Sequence, residues 1–153
     1  MTQGDITIPE GTDAVFGIEI TGAAAASTLT LTLADGTALD ADYFDSANAG
    51  YYQYSTDGGT NWADVSGAIT LAEGDNALQV KTDTIDDTAD EADETFTLTG
   101  TLSSNGTDYS DTSTATIQDN DAPTITLGNP SDMTQGDITV SYTHLTLPTI
   151  CSV

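Results

Sequence analysis

Seven acidic residues fall within the twelve positions 83–94 (Asp83, Asp86, Asp87, Asp90, Glu91, Asp93 and Glu94), whereas 21–34 holds none. Clustered carboxylates in a flexible segment are the ligands that a hard cation such as calcium selects, since it takes six to eight oxygens and needs no nitrogen or sulfur. The whole chain carries 25 acidic residues against one basic residue, Lys81, for a net charge of −24. Charge that serves only solubility has no reason to concentrate, so the uneven distribution favours cation binding over plain solvation. A chain this acidic repels nucleic acid and anionic membrane, both of which are engaged through Lys and Arg. No stretch approaches the roughly 18 apolar residues of a membrane span.

Other site chemistries are poorly supplied. The only histidine, His144, and the only cysteine, Cys151, both lie near the C-terminus. Upstream there is no zinc ligand set of the usual kind, no Cys or His nucleophile–base pair and no disulfide. The acids lie in loops beside an exit linker rather than in a cleft, so no enzyme is expected.

The elements that must position these acids follow a period of two. Ile6 and Ile8 alternate with polar neighbours, as do Phe16, Ile18 and Ile20, then Leu29, Leu31 and Leu33. Leu78 and Val80, Phe96 and Leu98, and Ala115 and Ile117 repeat the pattern. Successive strand side chains point to opposite faces, so each set lines one buried face. Threonine, a good strand former, fills many intervening positions. Ala34-Asp35-Gly36, Thr56-Asp57-Gly58-Gly59, Glu73-Gly74-Asp75 and Ser104-Asn105-Gly106 are turn signals between the runs. No segment carries a convincing helical stripe. About seven or eight short strands at this spacing predict an antiparallel β-sandwich with Greek-key connections. Tyr51–Ser55 and Thr60–Val65 read as a hairpin around Asp57-Gly58-Gly59. Its Tyr51, Tyr52, Tyr54 and Trp62 suit cross-strand packing first and a glycan-binding platform second.

The heptapeptide Met-Thr-Gln-Gly-Asp-Ile-Thr occurs at 1–7 and again at 133–139, a period of 132 residues from Met1 to Met133. That is the size of a domain rather than of a solenoid repeat. The chain therefore reads as a little over one unit of a tandem array. Residues 1–122 are one repeat and 123–139 begin the next, with the boundary at Asp119-Asn120-Asp121-Ala122-Pro123. Thr124-Ile125-Thr126-Leu127 reads as the next repeat's first strand. By the same phase, the counterpart of that strand for the first repeat lies upstream of Met1. After Thr139 the two copies diverge, and 140–149 resembles the translation of a sequencing adaptor of the transposase type. Residues 140–153 are thus expected to be a non-native tail and stand outside the fold reasoning.

A family resemblance rests on several matched segments. Pro9-Glu10-Gly11 opens into Ala14-Val15-Phe16, and Gly36-Thr37-Ala38 leads to Asp42-Tyr43. Ile85-Asp86-Asp87 is followed by Glu91 and Glu94-Thr95-Phe96, and Asp119-Asn120-Asp121 closes the unit. In this order they resemble the Calx-beta domain and the related immunoglobulin-like repeats of giant, type I-secreted (RTX-type) bacterial adhesins. The stretch from Gln53 to Trp62 is particularly similar to the adhesin repeats. The resemblance spans about residues 5–123. It implies calcium at one end of an immunoglobulin-like sandwich, with Glu10, Asp42, Asp86, Asp87, Glu91, Glu94, Asp119 and Asp121 as the ligand set. Asp83, Asp90 and Asp93 are less favoured as direct ligands. The calcium-sensing members carry a longer aspartate run at the exit, where this chain has Asn120, so fewer or weaker ions are expected here. The implied function is a calcium-binding extender repeat of a surface adhesin, extracellular on a bacterial cell and serving adhesion and biofilm formation, with adjacent repeats of the same chain as partners. The alternatives are a calcium-sensing module and a glycan-binding module.

Overall fold

The computed structural model describes residues 4–44 and 52–127. Tyr51, the second heptapeptide and the 140–153 tail with His144 and Cys151 lie outside the described residues. Nine strands follow in chain order: β1 (Ile6–Pro9), β2 (Asp13–Ala23), β3 (Thr28–Asp35), β4 (Tyr52–Ser55), β5 (Ala63–Asp64), β6 (Ile69–Thr70), β7 (Gly74–Asp83), β8 (Glu94–Ser104) and β9 (Thr107–Gln118). There is no helix among the described residues.

The strands form two sheets, ordered β1-β9-β8-β3-β6 and β2-β7-β4-β5. The chain is all-β, a two-layer sandwich of immunoglobulin-like type. Two of the nine strands, β5 and β6, are only two residues long, which is why the apolar pattern suggests fewer. The pairing is antiparallel except at β1, which lies parallel to β9 with Ile6 opposite Ala115 and Ile8 opposite Ile117. Thr124–Leu127, expected as a strand, carries none here. Alternation alone does not make a strand; a partner edge does.

The core follows the period-two reading. In β2 exposed and buried positions alternate from Asp13 to Ile20, and Phe16, Ile18 and Ile20 are buried. Leu29, Leu31, Leu78, Val80, Phe96, Leu98, Ala115 and Ile117 meet them from the other strands. Leu33 is only partly buried, near the end of β3. Burying each large apolar side chain contributes about 1.5–3 kcal/mol. Phe96 is the hub. Phe16 meets it edge-on at 6.0 Å, and Tyr43 stacks on it at 4.2 Å with ring planes 8° apart. The Tyr43 hydroxyl donates to Asp35 Oδ1 at 2.7 Å, so its one polar atom is satisfied in a buried setting.

The Asn105-Gly106 signal acts as read, whereas Gly74 and Asp75 of the Glu73-Gly74-Asp75 signal already belong to β7. Ser104 and Thr107 pair across Asn105-Gly106, whose φ values are 52° and 74°. Two central residues at positive φ suit the twist of a hairpin. The alanine run makes a tight turn, with Ala26 at φ 59° and the Ser27 amide donating to the Ala24 carbonyl at 3.1 Å.

Candidate metal centre

Four chain segments deliver carboxylates to one end of the sandwich. Glu10 lies in the β1–β2 turn, and its amide donates to the Gln118 carbonyl at 3.1 Å, tying this turn to the exit from β9. Asp42 precedes the buried anchor Tyr43; its Oδ2 accepts the Leu39 amide at 2.6 Å and its carbonyl accepts the Ile85 amide at 2.8 Å. Asp86, Asp87 and Glu91 lie on the β7–β8 loop, and Glu94 opens β8. Asp119 and Asp121 follow β9.

The approach of these segments depends on a glycine and a threonine. Gly11 has φ 70°, and a Cβ there would stand 2.7 Å from Asp86 Cβ. Only glycine lets the first turn lie against the acidic loop. Thr84 Oγ1 accepts the Thr12 amide at 3.1 Å and donates to the Thr12 carbonyl at 2.8 Å, clamping the same junction from below.

Two carboxylate trios result. Oxygens of Glu10, Asp119 and Asp121 lie within 4.8 Å of one another, as do those of Asp42, Glu91 and Glu94. A hollow of about 10 Å³ between them is lined by Glu10, Asp42, Asp87, Glu91, Glu94 and Asp119. That is room for a single particle the size of a water molecule. The Glu91 amide donates to Asp119 Oδ2 at 3.1 Å, linking the trios. Asp86 and Asp87 belong to neither trio. Asp86 Oδ1 accepts the Asn120 side-chain amide at 3.4 Å, and Asp87 Oδ1 accepts the Ala89 amide at 2.6 Å while also facing the hollow. Asp83 lies instead beside Asp13 on the β2–β7 pair, and Asp90 and Asp93 are exposed.

No basic side chain answers these charges among the described residues. Lys81 is held elsewhere, 3.3 Å from Asp13 Oδ2 and 5.2 Å above the Trp62 ring. The cost is visible in the titration of the acids. Glu94 is pushed up to about 7, first by burial, then by its hydrogen bond with Asp42 and the charges of Asp42 and Glu91. Glu10 is raised chiefly by burial; the Asn120 amide pulls it back, while Asp121 and Asp119 add to the rise. Asp121 Oδ2 is shielded from solvent and has no hydrogen-bond partner. A carboxylate oxygen left so is expensive unless something positive meets it. An all-oxygen, cation-poor group of this kind matches the donor chemistry of calcium.

Three residues to which the sequence reading gave no role contribute here. Asn120 donates its backbone amide to Glu10 Oε1 at 3.4 Å as well as its side-chain amide to Asp86; its place inside Asp-Asn-Asp was the available signal. Thr84 and the stacked Tyr43 act through tertiary contacts that no local pattern announces. Among the described hairpin aromatics, Tyr52 and Tyr54 turn towards the core. Tyr52 is buried and donates to the Leu31 carbonyl at 2.9 Å, and Tyr54 packs against the core. Tyr54 pairs with Ala63, so the neighbouring Trp62 belongs to the other face of the sheet, where Lys81 lies over its ring. The hairpin turn is organised by Asp57. Its Oδ1 accepts the amides of Thr60 and Asn61 and the Ser55 hydroxyl, and its Oδ2 accepts the Asn61 side-chain amide. The Asn61 backbone and side-chain amides, then Ser55, hold the Asp57 carboxyl down at about 2.

No protein-family model matches the sequence, and no curated protein matches it. Among solved structures the chain is similar to the periplasmic chaperone SfaE at 8% identity and TM-score 0.49, covering 78% of this chain and 56% of that one. The CupB2 chaperone of Pseudomonas aeruginosa gives 8% identity and TM-score 0.43, covering 75% of this chain and 53% of that one. Self-complemented MyfA, the major subunit of Myf fimbriae from Yersinia enterocolitica, gives 9% and 0.39, covering 77% and 94%. The chain spans about half the length of the two chaperones.

Proposed function

We propose that this chain is a calcium-binding extender repeat of a large bacterial surface adhesin, a Greek-key sandwich of the Calx-beta-like kind set in a tandem array. The observation that carries the reading is the gathering of carboxylates from four segments at the end where the chain leaves the unit, with no basic side chain to neutralise them. Glu10, Asp119 and Asp121 would hold one ion, and Asp42, Glu91 and Glu94 a second, with Asp86 and Asp87 at their margin. The ion supplies charge neutralisation and a cross-link among loops. Because Asp119 and Asp121 belong to the exit, that cross-link also fixes the direction in which the next repeat departs. An extender needs length and stiffness, and repeated sandwiches joined through ion-tied exits provide both.

Thermal melting of the full chain with and without calcium tests the reading. An ion bound only by the folded state stabilises it by about 2.7 kcal/mol at a hundredfold excess over its dissociation constant. Extracellular modules bind calcium at about 0.1–1 mM, so a rise in Tm is expected by 10 mM (about tenfold or more above that range). Magnesium, which demands tight octahedral geometry, should do less. An unchanged Tm at 10 mM calcium would sink the proposal.

A further inference from the structure

The edge of β2 opposite β7 is unpaired among the described residues. From Asp13 to Ile20 the strand is in regular register with β7, with a break between Ile20 and Ala23 at Gly22. A long regular edge left open is a template for another strand, and folds generally cover or blunt it. Beside this edge, a groove of about 350 Å³ opens between the two sheets, floored by Ile20 and Leu102 and lined also by Tyr109. Ile20 and Leu102 are buried core residues, whereas Tyr109 is 55% exposed at its rim. The groove and the free edge are adjacent, so one extended segment with apolar side chains on one face could use both.

The sequence supplies such a segment and its position. In the second copy of the repeat, Thr124-Ile125-Thr126-Leu127 precedes the heptapeptide whose last two residues correspond to Ile6-Thr7, the start of β1. Ten residues, Gly128–Asp137, separate Leu127 from Ile138, the counterpart of Ile6. Extended, ten residues reach at most about 33–36 Å, ample to cross the roughly 10 Å between packed sheets. Direction also agrees. β1 runs parallel to β9, and β2 ends beside the β8–β9 hairpin, where Ile20–Gly22 line the groove with Ser104, Asn105 and Thr107 and the Ala24 amide donates to Ser104 Oγ. A segment entering at that end and continuing into β1 is necessarily antiparallel to β2.

We propose that the β2 edge over Gly17–Ile20, with the Ile20–Leu102–Tyr109 groove, is the seat of the repeat's own first strand, a segment of Thr-Ile-Thr-Leu type that precedes β1 in the tandem chain. The proposal rests on the tandem-array part of the reading above and is independent of calcium. Each unit is then completed by residues that belong to its upstream joint, and the same seat accepts the segment in trans.

The test adds the peptide of sequence 122–131 to the full chain, in chelator, and follows hydrogen exchange and Tm. New protection at β2 amides between Gly17 and Ile20, a perturbed Tyr109 and a raised Tm are expected. A peptide with Ile125→Asp and Leu127→Asp should bind about tenfold more weakly or worse, since its apolar face is lost. In the absence of peptide, concentrated chain should self-associate through its own Thr124–Leu127, and a full chain bearing the same two substitutions should stay monomeric. Protection elsewhere, or equal binding of both peptides, overturns the seat. Because the assay contains chelator, failure here leaves the calcium melt standing, and failure of the calcium melt leaves this result standing.

Discussion

Glu94 offers the sharpest test of the electrostatic argument. Its carboxyl titrates near 4.5 in the unfolded chain and at about 7 in the fold, because it is partly buried beside Asp42 and Glu91. The folded state therefore holds this proton more tightly than the unfolded state does. The sign follows: the group's contribution to stability is fully present below about 4.5 and is lost as pH rises to about 7. A fully shielded group would lose roughly 3 kcal/mol over that window; water reaches this end of the sandwich, and screening leaves about 1 kcal/mol. For a unit of this size that corresponds to about 4 °C in Tm. Glu94→Gln keeps a donor for Asp42 and removes the titration. Melts of the two proteins in chelator, at intervals between pH 5 and pH 8, should show the parent losing stability relative to the variant as pH rises. Adding calcium at pH 8 should restore the parent and help the variant less. A constant difference between the two across the window would refute the crowding of Asp42, Glu91 and Glu94 as the source of the perturbation.

Asp119→Asn with Glu91→Gln should remove most of the calcium-dependent rise in Tm while the far-ultraviolet dichroism stays that of a β-sandwich; a full response would clear these residues of any role. Gly11→Ala introduces a side chain at φ 70° against Asp86, and should cost about 1–3 kcal/mol in urea melts and weaken the calcium response, with no loss in either refuting the close-approach argument. Asp57→Ala should free the β4–β5 turn, seen as faster exchange at the Thr60 and Asn61 amides; unchanged exchange would mean that the Asp57 carboxylate does not hold that turn. Two complete repeats should give a longer maximum dimension by small-angle scattering in calcium than in chelator, and identical profiles would leave a spacer without ion-dependent stiffening.

Much of the sandwich was legible because its strands are amphipathic in the simplest way. Phe16-x-Ile18-x-Ile20 and Phe96-x-Leu98 announce both a period and a buried face, and Asn105-Gly106 announces a hairpin. The parallel seating of β1 was not legible, since alternation at Ile6 and Ile8 states that a face is buried but not which neighbour lies beside it. The family resemblance named eight acids together, and six of them fall into the two trios. The two trios themselves were not legible, because spacing along a loop does not fix which oxygens approach. Asp86 and Asp87, adjacent in sequence, end with different partners for that reason. Tyr43 shows the same limit: it lies in a quoted motif, yet its stacking on Phe96 depends on residues more than fifty positions away.

The parallel pairing of β1 with β9 sets how the unit bears load. Among the described residues β1 opens the unit and β9 closes it, and the two strands lie side by side over Ile6–Pro9 and Ala115–Gln118. Tension between entry and exit pulls these neighbours in opposite directions along their own length. Their hydrogen bonds are then strained together in shear, rather than opened one after another as a hairpin peeled from its tip would be. Ser113 Oγ bonded to the Gly4 carbonyl, and the Thr114 amide bonded to Asp5 Oδ1, extend the loaded patch upstream. In the array proposed above, such units should yield abruptly, one whole sandwich at a time, which single-molecule stretching would record as discrete steps.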